Sequence, residues 1–290
     1  MSDVAGWLFD PYGFDFMRRA LAILVMISVV GAVVGAFVVH KGLAFSGDAL
    51  AHATLAGVAV AFVNGASVGL GALAAAVITA MGIGWMQRRT RVSYDTAIGI
   101  MFVAMFSLGI LIMSRRTNYT PDLFSFVFGN ILGVSDADLL GAAVMAGAVL
   151  LFVWAFYREL LFVAHDSAMA AASGVRAAPF QYALLVMIAV AVVVALKAIG
   201  IVLVNAMLIV PAATAGLLVH RMSMIMLLGA GVGLLASVVG LHLSFYASVS
   251  ASPAIVLVAC AIFLLTVLAG SRRRTAAPTP SPVERPQGPL

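Results

Sequence analysis

Charged residues are scarce in this chain, and their scarcity decides its broad class. Only 9% of the 290 residues are charged, whereas 64% are hydrophobic. A soluble domain carries about 25% charged residues, so this chain cannot cover a globule with a water-compatible surface. The composition therefore predicts a protein that uses the lipid bilayer as its apolar solvent. The formal net charge is +5, but no basic face with interleaved aromatic side chains accompanies it, which argues against nucleic acid as a partner.

Several chemical motifs are also missing. The chain has a single cysteine, Cys260, so an internal disulfide and a thiolate metal cluster are both excluded. It has no GxxxxGK[ST] loop that would cradle the phosphates of ATP. Neither a HEXXH motif nor a serine–base pair occurs, which argues against a membrane-embedded hydrolase. We expect no enzymatic activity in this chain, and ATP-driven work would need an ATPase on another chain.

What the chain does have is long apolar runs. Because every backbone N–H and C=O in lipid needs an internal partner, these runs are expected to be helices. The sequence predicts an all-α polytopic membrane protein with eight or nine transmembrane helices. The apolar segment 121–134 is too short to span, and we expect a short helix that lies at the surface or re-enters. The candidate spans lie near residues 19–39, 45–63, 67–86, 94–114, 137–157, 180–196, 199–218, 222–246 and 252–270.

The distribution of arginine predicts the orientation and the domain boundaries. Clusters at residues 88–91 and 272–274 flank apolar runs, and short loops rich in Lys and Arg stay inside the cell. Nine spans with an outside N-terminus put both clusters inside, although the arginines at 18–19 and 115–116 then fall outside. We expect a transmembrane domain over residues 1–272 and a disordered, proline-rich tail over 273–290.

Small residues recur four positions apart in or beside several spans. Such pairs let two helices approach closely, so we expect tight helix packing at these points. The pairs are Gly31 with Gly35, Gly65 with Gly69, and Gly229 with Gly233.

One long connection, residues 158–179, contains a short alanine-rich stretch. Asp166 or Ser167 would cap a helix that begins there, and Gly174 would end it. The pattern predicts a short helix inside a cytoplasmic loop. Composition alone leaves open whether it is an ordinary linker or a functional element.

Asp48 and His52 are the ionisable residues that stand inside an apolar span rather than at its flanks. Their i,i+4 spacing puts them on one helix face, about 6 Å apart along the axis. A carboxylate oxygen and an imidazole nitrogen suit Zn²⁺ or Mn²⁺. An ionisable pair in the membrane typically marks a path for substrate or protons. The alternatives are that Asp48 is a helix N-cap and that His52 is a hydrogen-bonded core histidine.

Other polar residues are weaker candidates. His242 is a candidate third metal ligand, although the predicted topology puts it toward the outer end of its span and Asp48 toward the inner end. Asn205 is expected to bond another helix, and Asp95 is expected to cap the helix that follows the arginine cluster.

Four stretches, taken in order, resemble bacterial zinc and manganese ABC-importer permeases, and the resemblance covers about residues 14–272. They are FSGDALAHATLAGVAVAF at 45–62, YDTAIGIMFVAMFSLGI at 94–110, DLFSFVFGNILGVSDADL at 122–139 and IGIVLVNAMLIVPAATAGLL at 199–218. The resemblance implies a type II importer fold with alternating access in the bacterial inner membrane. It implies a homodimer with two cytoplasmic ATPase subunits and an extracytoplasmic metal-binding protein.

The resemblance also implies roles for particular residues. Asp48 and His52 carry over as metal-path residues, and the loop helix with Asp166, Ala170 and Gly174 carries over as the element that docks into the ATPase. The segment 122–134 would lie at the outer mouth. The chain departs from the family where an Asp-x-Pro-x-Gly pattern is common, because its matching positions are serines: Ser248, Ser250 and Ser252.

The sequence therefore predicts the permease subunit of an ATP-driven importer of a divalent transition metal. Zinc is favoured over manganese, because the GDALAHA form is more like the zinc members. The metal is the transported substrate, and no permanently bound cofactor is expected. The alternative is a secondary transporter or channel that uses Asp48 and His52 as a proton or cation relay.

Overall fold

The chain folds as a bundle of long helices. The computed structural model describes residues 10–114, 129 and 131–275, and within these ranges it contains helices and turns but no strand. Short 3-10 turns lie at Asp10–Gly13 and Ile131–Gly133. The helices are α1 Asp15–His40, α2 Phe45–Val63, α3 Val68–Arg89, α4 Tyr94–Met113, α5 Asp136–Ala155, α6 Tyr157–His165, α7 Ser167–Ala172, α8 Ala177–Leu218, α9 Met222–Ala247 and α10 Ala251–Thr275.

The predicted transmembrane helices are confirmed. In the described part of the chain, nine helical segments are long and apolar enough to cross a membrane. Helix α8 supplies two of them, Ala177–Leu196 and Ala198–Leu218, and these match the predicted runs at 180–196 and 199–218. Hydropathy alone was sufficient here, because lipid requires unbroken apolar helices.

Helix α8 is broken at Gly200, whose φ of 78° and ψ of 167° are non-helical. A positive φ of this kind is readily adopted only by glycine. The hydroxyl of Ser252 donates to the carbonyl oxygen of Ile199 at 3.3 Å, so a residue of α10 satisfies a carbonyl at the break. Gly129 lies against the same point, since a Cβ there would overlap the backbone of Ile199 and Gly200. Three separate parts of the chain therefore meet at this break.

Close backbone contacts hold α1 against α8. A Cβ on Gly31 would lie 2.8 Å from the carbonyl oxygen of Met207, and a Cβ on Gly35 would overlap the carbonyl of Leu208. The predicted close approach is confirmed for this pair. It lets α1 reach the α8 segment that carries Asn205.

The other two glycine pairs differ from each other. Gly229 and Gly233 on α9 face α1, where a Cβ on either would lie 3.2 Å from a side-chain carbon. The prediction is wrong for Gly65 and Gly69, because a Cβ at either position would meet no atom of the described residues within 4 Å. Gly65 instead occupies the turn after α2 with a φ of 66°, so it serves backbone conformation rather than helix packing.

Contacts between helix ends show which ends lie on the same side of the bundle. At one face, the imidazole rings of His40 and His165 lie 4.2 Å apart. The ammonium of Lys41 donates to the carbonyl of Val163 at 3.2 Å, and burial lowers its pKa. At the other face, the guanidinium of Arg19 pairs with Asp136 at 2.9 Å. The ends of α1 thus lie where a nine-span arrangement requires them.

Two predictions fall largely outside the described residues. Helix α10 continues past the predicted domain boundary at 272 to Thr275, and residues 276–290 of the predicted tail are not described. Of the short apolar segment at 121–134, the structure describes Gly129 and residues 131–134, which include the turn at Ile131–Gly133.

Candidate metal site on helix α2

Four residues separate the end of α1 from the start of α2, and this local geometry decides the position of Asp48. Gly42 turns the chain with a φ of 66°. The N-cap of α2 is Ala44, which makes no side-chain capping bond. The interpretation of Asp48 as an N-cap is therefore wrong. Asp48 lies inside the first turn of the helix, and its carboxylate is directed at another element.

Asp48 and His52 lie together, as their spacing predicts. The Nε2 atom of His52 is 3.7 Å from Oδ1 of Asp48. The side chains are 37% exposed at Asp48 and 28% exposed at His52, so both reach an open surface of the single chain. A carboxylate oxygen and an imidazole nitrogen at this separation can bind one divalent cation between them.

Asn205 joins this pair from the second segment of α8. Its Nδ2 donates a hydrogen bond to Oδ1 of Asp48 at 2.7 Å. The expectation that Asn205 bonds another helix is confirmed. Its partner was not predicted, because one polar residue in an apolar span carries no signal for which helix it faces.

Two phenylalanines of α4 enclose the ring of His52. The rings of Phe102 and Phe106 each lie 5.6 Å from the imidazole, with their planes steeply inclined to it. They stand i,i+4 on one face of α4, which packs along α2. They give His52 an apolar wall on one side and leave the Asp48 side as its polar neighbour.

His242 lies in a different environment on α9. It is 7% exposed, and its Nδ1 is 2.9 Å from the carbonyl oxygen of Val238 and 3.4 Å from the hydroxyl of Tyr12. Burial raises the pKa of the Tyr12 phenol. Across the described residues, no group of three His, Cys, Asp or Glu side chains is close enough to hold a metal ion. The structure does not bring His242 to Asp48 and His52, and its role as a third ligand stays a prediction.

The short helix predicted in the long loop is confirmed as α7. Asp166 caps it, with Oδ1 accepting from the backbone N–H of Ala168 at 2.8 Å and of Met169 at 3.0 Å. Gly174 ends it with a φ of 86°, and Ala170 between them is fully buried. Both predicted caps are therefore in place, whereas the docking role of this helix stays a prediction.

Helix α7 lies beside the arginine-rich end of α3. One surface groove is lined by Arg88 together with Ser167, Gly174 and Arg176. The predicted cytoplasmic loop and the predicted cytoplasmic arginine cluster therefore share one face of the protein.

Two further polar positions differ from expectation or add to it. Helix α4 is capped by Ser93, which accepts from the N–H of Thr96 at 3.2 Å, so the assignment of the cap to Asp95 is wrong. A serine hydroxyl at the residue before the first helical turn has the better geometry. Ser248, at one of the departures from the family pattern, ends α9 in the left-handed region with a φ of 53°.

Comparison with known proteins gives consistent matches along the chain. The model of the ABC 3 transport family matches residues 13–270, which include every candidate span of the described chain. The manganese transport system membrane protein MntC of Halalkalibacterium halodurans is 37% identical over 265 residues, covering 91% of each protein. The manganese import system permease protein ScaB of Streptococcus gordonii is 35% identical, covering 91% of this chain and 94% of its own.

A solved structure agrees with the sequence comparisons. PsaBC from Streptococcus pneumoniae, solved in complex with Fab, is similar with a TM-score of 0.79 at 34% identity. The similarity covers 91% of this chain and 95% of that chain. The similarity therefore extends over nearly the whole length of both chains.

Proposed function

Since this chain belongs to the ABC 3 transport family, we propose that it is the membrane-spanning permease subunit of an ATP-driven importer of a divalent transition metal. It is a multi-pass protein of the bacterial inner membrane. The observation that carries the proposal is the Asp48–His52 pair, which is half-exposed and lies in an apolar helix. A carboxylate in such surroundings is retained when it is paired, hydrated or used by a passing ion.

The ligand atoms of Asp48 and His52 indicate which class of ion is transported. Asp48 supplies a carboxylate oxygen and His52 an imidazole nitrogen, and both suit first-row divalent metals. Two side chains do not fill a coordination shell, so water or a second copy of the chain completes it in transit. Cys260, the one cysteine in the sequence, lies on α10 rather than on α2, so the donors that α2 itself offers include no thiolate.

Manganese is the metal that we place first. The form of the GDALAHA motif favours zinc, whereas two similar proteins carry manganese transport in their names. A carboxylate with an imidazole serves either ion. The similar proteins therefore shift the preference to manganese and leave zinc as the second candidate.

The proposed importer needs other chains. A homodimer of this permease would surround the path, two cytoplasmic ATPase subunits would hydrolyse ATP, and an extracytoplasmic protein would deliver the metal. Support comes from α7 beside the arginine-rich face and from the absence of a phosphate-binding loop in the sequence. ATP hydrolysis is thus assigned to partner chains, and this chain is a transport subunit.

Growth under chelation identifies the metal. Cells that lack the chain are grown with a chelator of divalent metals, and manganese, zinc and iron are added back one at a time, with and without the restored gene. The proposal expects the gene to lower the manganese concentration needed for growth by about tenfold or more. If the gene changes the requirement for no metal, the proposed function fails.

A further inference from the structure

Asn205 is a polar side chain in the apolar second segment of α8, and it lies 157 positions from the residue that it contacts. We propose that Asn205 is a positioning residue of the metal path, which holds the Asp48 carboxylate for the incoming dication, and that Gly47 makes room for it. This inference rests on the proposed function and adds residues to the same site. Neither Asn205 nor Gly47 is a metal ligand in this proposal.

The first support is which atom of Asp48 is engaged. The amide Nδ2 of Asn205 lies 2.7 Å from Oδ1, and Nε2 of His52 lies 3.7 Å from the same oxygen. The hydrogen bond from Asn205 therefore holds Oδ1 of Asp48, and the imidazole of His52 lies near the same oxygen. A carboxylate held in this way keeps one orientation while the ion binds and leaves.

The second support for this role of Asn205 is electrostatic. An amide is neutral, so its N–H orients the carboxylate without cancelling the negative charge, as a lysine or arginine partner would. The full charge of Asp48 stays available to a divalent cation. A hydrogen-bonded partner behind a ligand typically changes metal affinity or activity by about 10–100-fold when it is removed.

The third support is the orientation of the amide itself. Its Oδ1 is enclosed by protein and has no hydrogen-bond partner among the described residues. Turning the amide over would bring that oxygen against the Asp48 carboxylate, where two acceptors repel. The orientation is thus decided by the bond to Asp48, at the expense of the buried oxygen. An asparagine that only linked two helices would be expected to satisfy both ends.

The fourth support comes from the residue before Asp48. A Cβ on Gly47 would lie 2.8 Å from Oδ1 of Asn205 and 3.0 Å from Cδ2 of Leu208. With any larger residue at 47, the amide of Asn205 or the backbone of α2 would have to shift. Gly47, Asp48 and Asn205 therefore form one unit, in which the glycine admits the amide and the amide orients the acid.

The test compares variants of the assembled importer by the manganese concentration that gives half-maximal uptake. Asn205→Leu keeps the volume of the side chain, and Asn205→Asp keeps its shape, but both lose the N–H donor. Each is expected to raise the half-saturating concentration by about tenfold or more. Gly47→Ala is expected to do the same. Gly216→Ala on the same α8 segment is the control, since a Cβ there meets open space.

The uptake measurements distinguish failure of this inference from failure of the proposed function. If Asn205→Asp and Gly47→Ala both keep the wild-type half-saturating concentration while Asp48→Ala abolishes uptake, Asn205 is a packing residue and the inference is overturned. If Asp48→Ala itself takes up manganese normally, the proposed function fails instead. Assembly with the ATPase is checked by size-exclusion chromatography. A variant that does not assemble is replaced in the comparison by the other Asn205 variant.

Discussion

At the scale of single residues, two electrostatic effects act on Asp48. It lies in the first turn of α2, where the helix macrodipole favours an anion by about 0.3–1 kcal/mol. Placing a carboxylate at the centre of a span costs about 2.5–3.5 kcal/mol, and the cost falls toward the ends. The amide of Asn205 and exposure to an open surface offset part of the remainder. The residue is therefore tolerable in this position but is not there for stability.

As a proposed metal ligand, His52 would set the balance between softer and harder metals. Replacing its nitrogen donor with an oxygen by His52→Asp should weaken the competition of zinc against manganese, because carboxylates suit manganese better than they suit zinc. We expect several times more zinc to be needed to halve manganese uptake, even if the overall rate falls. Inhibition curves with the assembled importer measure this directly.

The matched control for that experiment is His220→Asp, because His220 is exposed in the connection between α8 and α9. It should leave the zinc inhibition curve in place. An unchanged curve for His52→Asp, with uptake still measurable, would show that the imidazole does not touch the ion.

At the scale of helices, α7 is short, and its caps hold it in place. The Asp166 carboxylate accepts two backbone N–H groups, and Gly174 supplies the left-handed residue that closes the last turn. Losing an N-cap costs about 1 kcal/mol, a large share for a helix this short. An element that transmits force to a partner has to keep its shape, so its caps should matter for coupling.

Asp166→Ala should uncouple ATP hydrolysis from metal transport. The assembled importer is expected to keep ATPase activity but to move at least several times less manganese per ATP, because α7 would fray at the face proposed to dock the ATPase. Ser135→Ala removes a similar cap, from α5 at the opposite face, and should leave the ratio unchanged. Equal ratios in Asp166→Ala and wild type would remove α7 from the coupling path.

Elements differ in how far the sequence predicts them. All nine spans were predictable because lipid forces apolar length onto every crossing helix, and the caps of α7 were predictable from Asp166 and Gly174. The single-residue break at Gly200 was not, since its conformation depends on contacts from Gly129 and Ser252.

The candidate site shows the same division. The Asp48–His52 pair follows from i,i+4 spacing on one helix, which is local. The bond to Asn205, the phenylalanines beside His52 and the separation of His242 depend on which helices pack together. Such contacts between distant parts of the chain have no local signal.

At the scale of the whole molecule, the proposed function needs a metal path and a face that docks the ATPase. The acid–imidazole pair opens to a surface of the single chain, and the face with α7 and Arg88 lies at helix ends. The sequence contains no phosphate-binding loop of the GxxxxGK[ST] type. On the proposed function, the protein is one component of an assembly, in which ATP hydrolysis acts through one face and the ion crosses beside α2.

Uptake of manganese into liposomes that contain the assembled importer tests whether the ion passes the Asp48–His52 pair. The wild-type assembly should accumulate the ion only with ATP, and the double variant Asp48→Ala, His52→Ala should hydrolyse ATP but accumulate none. Accumulation by the double variant at the wild-type rate would contradict the claim that the ion passes this pair.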